Sequence, residues 1–111
     1  MQAPSTNFDL AVKYCQTLPT DVVPDRLMLE VHYYDPSDFC IMSKDNEWGN
    51  NFPVKYFWGK DYHTGTNRDC TWGEEDYLDS KMALIKTNFV NRGIPVIIGK
   101  FGAPRRSNID N

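Results

Sequence analysis

A strand, helix, strand pattern limits what this chain can fold into more than any other feature. Residues 27–34, Leu-Met-Leu-Glu-Val-His-Tyr-Tyr, combine β-branched and aromatic side chains and precede an Asp-Pro exit. Residues 94–99, Ile-Pro-Val-Ile-Ile-Gly, follow an amphipathic helix and are apolar on both faces, as covered parallel strands are. Since a strand, a crossover helix and a second strand form the unit of parallel α/β folds, the sequence predicts two parallel strands.

Local signals mark the helix ends. Thr6 or Asn7 is the predicted cap of a first helix over residues 8–17. The capping-box pattern Thr71-Trp72-Gly73-Glu74 predicts the start of the crossover helix, and Gly93 is placed to end it. Its predicted core stripe, at three- and four-residue steps, is Leu78, Met82, Ile85 and Phe89.

Residues 35–70 form a long connection, which in a compact domain is either functional or disordered. Its many aromatic residues argue against a solvated linker, so we expect it to pack on itself and on a scaffold. These aromatic residues are Phe39, Trp48, Phe52, Tyr56, Phe57, Trp58 and Tyr62.

The composition is that of one globular unit, and we treat residues 1–111 as such. Hydrophobic residues make up 41% of the 111, and the formal net charge of −3 comes without a basic stripe, so we expect neither nucleic acid nor a membrane surface as a partner. No apolar run approaches the roughly 20 residues that cross a bilayer. The first residues show no signal peptide, so the sequence leaves localisation open.

The three cysteines, Cys15, Cys40 and Cys70, are odd in number and irregularly spaced. This pattern favours free thiols or one optional bridge over a disulfide framework or a zinc site. We expect no metal and no cofactor.

Candidate reactive groups lie where the two predicted strands end, because parallel barrels place their chemistry at the carboxyl ends of strands. His32 and Tyr34 share one face of the first strand, with Glu30 deeper on that face as a predicted buried, hydrogen-bonded residue. Lys100 ends the second strand in phase with Ile98, and we expect it to point toward the same site. Two simpler interpretations stay open: a solvated lysine at a strand end, and a histidine satisfied within the core or rim.

The segment Ile94–Ala103 resembles the seventh barrel strand of the cellulase-like glycoside hydrolases of family 5, which reads Ile-Pro-Val-Ile-Ile-Gly-Glu-Phe-Gly-Ala. The His32-x-Tyr34 pair matches the sixth strand of that family. The resemblance implies an α/β fold, a partial (β/α)8 TIM barrel from roughly helix 5 to strand 7, within an incomplete family 5 catalytic domain. Further matching segments are Leu27–Tyr34, Trp48-Gly49, Tyr56–Gly59, Trp72–Glu75 and Phe89–Pro95.

The resemblance also implies a missing reaction. Retaining glycosidases need two carboxyl groups about 5 Å apart, and the family supplies them as the strand-seven glutamate and the glutamate of an Asn-Glu-Pro motif. Here Lys100 stands at the nucleophile position and no Asn-Glu-Pro occurs. We therefore expect a catalytically silent fragment of an endo-β-1,4-glucanase-like enzyme. Its parent would act on a β-linked polysaccharide and, like many family members, be exported.

The aromatic loop offers an alternative function from another class. Trp48, Tyr56 and Trp58 are predicted either to stack on sugar rings or to hold the loop together. In the first case, the chain would be a non-catalytic carbohydrate-binding or interaction module. Two parallel strands would also leave open edges, which favour self-association.

Overall fold

The computed structural model of the protein describes residues 7–17 and 26–106. These residues fall into two compact units, the first built from 7–17, 26–33 and 79–101, and the second from 34–78 and 102–106. In chain order the elements are α1 (Phe8–Tyr14), β1 (Leu29–Tyr33), α2 (Ser37–Cys40), α3 (Glu75–Asn88) and β2 (Val96–Phe101), with 3-10 turns at Lys60–Tyr62 and Val90–Arg92.

The sheet of the first unit consists of β1 and β2, which pair in parallel. The predicted parallel pair is thus confirmed. β2 starts two residues later than predicted and continues through Phe101, one residue beyond Lys100. Proline occupies position 95, just before the strand, where the absence of an N–H does not interrupt the ladder.

The core of the first unit lies on one face of this sheet. Side chains of α1, β1 and the end of α3 bury one another there, and Val96 and Ile98 of β2 pack against them. Met82, at 39% exposure, is not part of this core, so its predicted place in the stripe is wrong, whereas Ile85 and Phe89 are buried as predicted. The buried set is Phe8, Ala11, Cys15, Leu29, Val31, Ile85 and Phe89.

Helix ends differ from the predictions in informative ways. Asn7 caps α1 by accepting a hydrogen bond from the Leu10 amide at 3.0 Å, while the alternative cap, Thr6, lies outside the described residues. α3 begins at Glu75, so the predicted capping box starting at Thr71 is wrong. Gly93 does close the helical region, with φ +79° after the second 3-10 turn, a conformation that favours glycine.

The second unit contains the predicted long loop, residues 35–70, which packs on itself as expected. Its buried side chains come from well-separated parts of the segment: Pro36, Asp38, Met42, Val54, Lys55, Asp69 and Cys70. Lys55 links two of these parts, since its amide donates to the Asp38 carbonyl at 3.1 Å and its ammonium to the Asn67 carbonyl at 2.8 Å. Among the described helices, none has the length and apolarity needed to span a membrane.

Candidate active site and aromatic loop

His32 and Lys100 are paired in register at the carboxyl ends of β1 and β2. The pairing skips Gly99, because Val31 pairs with Ile98 and His32 with Lys100. Gly99 is therefore an extra residue of β2 without a paired residue on β1, which is the arrangement of a β-bulge. Since paired residues of neighbouring strands project from the same face, the structure places Lys100 on the face of His32.

Because of this bulge, the prediction that Lys100 lies on the same face of β2 as Ile98 is wrong. Strict alternation puts Lys100 on the face of Ile98, and Ile98 packs against the core beneath the helices. Lys100 would then point away from His32. The bulge adds one residue, and Lys100 is therefore paired with His32 although strict alternation would not place it there. That the two side chains meet in one site stays a prediction.

Glu30 occupies the space that a side chain at position 99 would need. A Cβ atom built on Gly99 would lie 1.9 Å from Glu30 Oε1 and 2.5 Å from its Cδ. The Glu30 side chain is 32% exposed, so its predicted burial is wrong. Glycine at 99 thus lets the Glu30 carboxylate lie directly over the bulge.

His32 presents an unsatisfied ring nitrogen to this face. Its side chain is 15% exposed, and Nε2 has no hydrogen-bond partner among the described residues. Glu30 Oε1 lies 3.9 Å from Nε2, which is too long for a hydrogen bond. A buried polar atom without a partner is expensive, and a site that binds a polar ligand is one reason to keep it.

Tyr34, the third predicted member of the strand-end site, follows β1 and belongs to the second unit. The first unit therefore pairs His32 with Lys100 in register, and the Glu30 carboxylate lies near the His32 ring and over Gly99. The assignment of Tyr34 to the same site stays a prediction.

Tyr56 lies beneath two guanidinium groups, those of Arg68 at 4.7 Å and Arg106 at 5.3 Å from its ring centroid. Arg68 forms a two-pronged ion pair with Asp45, whose oxygen also accepts the Val54 amide. The hydrogen bonds from Arg68 hold the pKa of Asp45 down at about 2. This environment favours the packing interpretation of Tyr56, because cations already lie over its ring.

Trp48 and Trp58 have different surroundings. Trp58 is half-buried, and its indole N–H donates to the Gly73 carbonyl at 2.9 Å. Trp48 is 48% exposed and packs against Phe52 with ring centroids 6.5 Å apart. The loop tip that carries Trp48 is ordered by reciprocal hydrogen bonds between Asn46 and Phe52.

The cysteines and metal-ligand types form no reactive centre in the part of the chain described. Cys15, Cys40 and Cys70 are free thiols. Burial, followed by nearby carboxylates, raises the pKa of Cys40 to about 11 and that of Cys70 to about 12, so both are poor nucleophiles at neutral pH. Within the described ranges, no group of three or more His, Cys, Asp or Glu side chains is arranged to hold a metal ion.

Comparison with known protein families identifies the family to which this fold belongs. The sequence model of "Cellulase (glycosyl hydrolase family 5)" matches residues 3–111. The chain belongs to glycosyl hydrolase family 5. Its two parallel strands and associated helices are accordingly part of a (β/α)8 barrel, as the resemblance implied.

Two family 5 relatives define the extent of the match. Endoglucanase A of Paenibacillus barcinonensis is 35% identical over 120 residues, covering 96% of this chain and 27% of the relative. A xyloglucan-specific endo-β-1,4-glucanase of Bacteroides ovatus is 37% identical over 109 residues, covering 98% of this chain and 20% of the relative. The chain thus spans about a quarter or less of the length of these relatives.

Solved family 5 structures agree in fold. The Bacteroides ovatus xyloglucanase, in complex with a XXXG heptasaccharide, matches with a TM-score of 0.80 at 34% identity over 99% of this chain and 22% of that chain. A xyloglucan-specific β-1,4-glucanase from a ruminal metagenomic library, in complex with XXLG, matches with a TM-score of 0.71 at 40% identity over 97% of this chain and 27% of that chain.

Sequence reasoning missed the bulge at Gly99 and the hydrogen-bonding role of Glu74. A glycine inside an otherwise apolar strand is a known signal for a bulge, and Gly99 carried it. Glu74 was assigned to a capping box, yet its carboxylate accepts hydrogen bonds from the segment around Gly59. No sequence signal links these two positions, which are 15 residues apart.

Proposed function

We propose that this chain is a segment of a family 5 β-1,4-glucanase that does not hydrolyse glycosidic bonds by itself. The proposal is supported by Lys100, which the resemblance of residues 94–103 puts at the position of the family's strand-seven nucleophile and which is paired with His32 at the strand ends. Membership in a family of endoglucanases and xyloglucanases supports a β-linked glucan as the substrate of the complete enzyme.

The chemistry of lysine supports catalytic silence. The reaction passes through a transition state with positive charge on the sugar, which a carboxylate stabilises and an ammonium group repels. A protonated amine also lacks the electron pair needed to attack the anomeric carbon. Glu30, the nearest acidic residue along β1, lies two positions before His32 and packs over Gly99, below the strand ends.

We expect the purified chain to release no reducing sugar from xyloglucan or other soluble β-glucans. Lys100→Glu in the isolated chain is expected to give no activity either, because the acid/base group of an Asn-Glu-Pro motif is still missing. The measurement is a reducing-sugar assay with a family 5 relative as the positive control. Release of sugar that disappears in His32→Ala would overturn the proposal.

A second candidate function is carbohydrate binding without catalysis, through the aromatic residues of the second unit. The observation that favours it is the exposed Trp48, carried on a loop tip whose conformation is fixed by hydrogen bonds. Rigid aromatic side chains lose little entropy when they bind a ligand. Titration calorimetry with the XXXG heptasaccharide tests this candidate: binding heat that disappears in Trp48→Ala supports it, and heat that is unchanged in Trp48→Ala contradicts it.

Self-association is a further part of the proposal. Within the described residues, β1 and β2 pair with one another and with no third strand. Each strand therefore has one edge whose backbone groups are not bonded to another strand, and such edges favour pairing with a second copy.

A further inference from the structure

Residues 58–62 form a turn that is attached to the start of α3. The Gly59 amide donates to Glu74 Oε1 at 2.9 Å, and the Lys60 amide donates to Glu75 Oε1 at 3.2 Å. The Trp58 indole reaches the carbonyl of the residue just before Glu74. Three donors of one turn thus bind three consecutive residues, and we call residues 58–62 the aromatic turn.

His63 adds a fourth attachment. Its Nε2 lies 2.6 Å from Glu74 Oε1, the same oxygen that accepts the Gly59 amide. The Glu74 side chain is 12% exposed, so this oxygen is largely shielded from water. Hydrogen bonds to a shielded carboxylate are stronger than those between neutral groups, and Glu74 is therefore the central anchor of the aromatic turn.

Tyr62 stands on this anchored backbone with its ring in solvent. Gly59 has φ +96°, and a Cβ atom built there would lie 3.1 Å from Tyr62 Cδ2 and 3.0 Å from Glu75 Oε1. The ring therefore packs against the glycine, yet the residue is 73% exposed. The result is a hydrogen-bonded backbone that presents one exposed aromatic ring, in the same turn as the half-buried Trp58.

We propose that the aromatic turn is a binding site for the flat C–H face of a neutral β-linked sugar, with Tyr62 as the contact and Glu74 as its positioning residue. The proposal rests on the proposed function for the ligand class. Anchoring fixes the turn before the ligand arrives, which reduces the entropy lost on binding. This binding site is separate from the strand-end site, because Tyr62 and Glu74 do not belong to β1 or β2.

The test is a titration of the whole chain with XXXG xyloglucan heptasaccharide, followed by the indole N–H signal of Trp58 in two-dimensional NMR. We expect that signal to shift on titration. Tyr62→Ala and Glu74→Ala are each expected to weaken binding by about tenfold. Glu74→Gln is expected to restore most of the affinity, because its side-chain oxygen still accepts the Gly59 amide.

Asp9→Ala is the matched control, since Asp9 is a carboxylate that accepts a hydrogen bond from the Lys81 ammonium at 2.7 Å in the first unit, whereas the aromatic turn belongs to the second. It is expected to bind like the original chain. Tyr62 is exposed, so Tyr62→Ala tests the contact even if Glu74→Ala fails to fold. Unchanged affinity in Tyr62→Ala, or a Trp58 signal that never moves, overturns this inference. Hydrolysis of the heptasaccharide would instead overturn the proposed function and leave the site intact.

Discussion

A complete family 5 barrel that carries this chain in place of its own matching segment is expected to lose xyloglucanase activity by about 10⁴-fold or more. The Bacteroides ovatus xyloglucan-specific enzyme is a suitable host, because this chain matches 20% of its length at 37% identity. The host would keep its remaining strands, so the substitution at position 100 is tested inside a closed barrel. Lys100→Glu in the same chimera is expected to restore activity, since it returns the attacking carboxylate.

The chimera needs controls for folding and for charge. Near-ultraviolet circular dichroism shows whether the barrel has formed its tertiary packing. Lys86→Glu makes the same charge change at an exposed lysine on α3, and it is expected to restore nothing. A chimera that is active with Lys100, or one that folds yet stays inactive with Lys100→Glu, would contradict the assignment of Lys100 to the nucleophile position.

Gly99→Ala is expected to destabilise the first unit by about 1 kcal/mol, the usual cost of forcing one side chain, here the partly exposed Glu30, out of its preferred rotamer. The added Cβ would lie 1.9 Å from Glu30 Oε1, so either the Glu30 side chain must leave its place or the bulge must change. Position 99 has no positive φ, so backbone strain does not contribute. Urea unfolding measures the change in the free energy of unfolding.

A double-mutant cycle shows whether the cost of Gly99→Ala comes from the clash with Glu30 or from a general effect of the substitution on β2. In a Glu30→Ala background the cost of Gly99→Ala is expected to fall below about 0.5 kcal/mol, because the clashing atoms are gone. Gly49→Ala is the matched control, since a Cβ there has no atom within 4 Å and the backbone is not left-handed. Equal costs of Gly99→Ala in both backgrounds would show that Glu30 does not define the space at the bulge.

The parallel strands and the helix between them could be predicted from sequence because each follows from a local pattern. Buried Ile85 and Phe89 show the helical period, and buried Leu29 and Val31 show the alternation of β1. Met82 fits the same period but is exposed. Periodicity identifies the candidate face of a helix, and tertiary packing decides how far along the helix that face is covered.

The pairing of the two strand ends could be predicted from sequence, but the geometry there could not. His32 and Lys100 were chosen as candidates because strand ends carry the chemistry of parallel barrels. Their common orientation depends on one unpaired residue, Gly99, and on a side chain of the other strand, Glu30. The contact between Glu30 and Gly99 cannot be predicted from the hydrophobic periodicity of either strand. The same holds for Tyr56, whose two guanidinium neighbours come from positions 68 and 106.

The hydrogen bonds of Arg106 set a lower limit on the length of any shortened derivative of the second unit. This side chain donates to the carbonyls of Phe39 at 2.6 Å and Met42 at 3.3 Å, at the end of α2. A derivative ending at residue 104 would leave both carbonyls without these donors and uncover one side of the Tyr56 environment. Residues downstream of β2 are therefore needed to complete a folding unit that is otherwise encoded upstream of it.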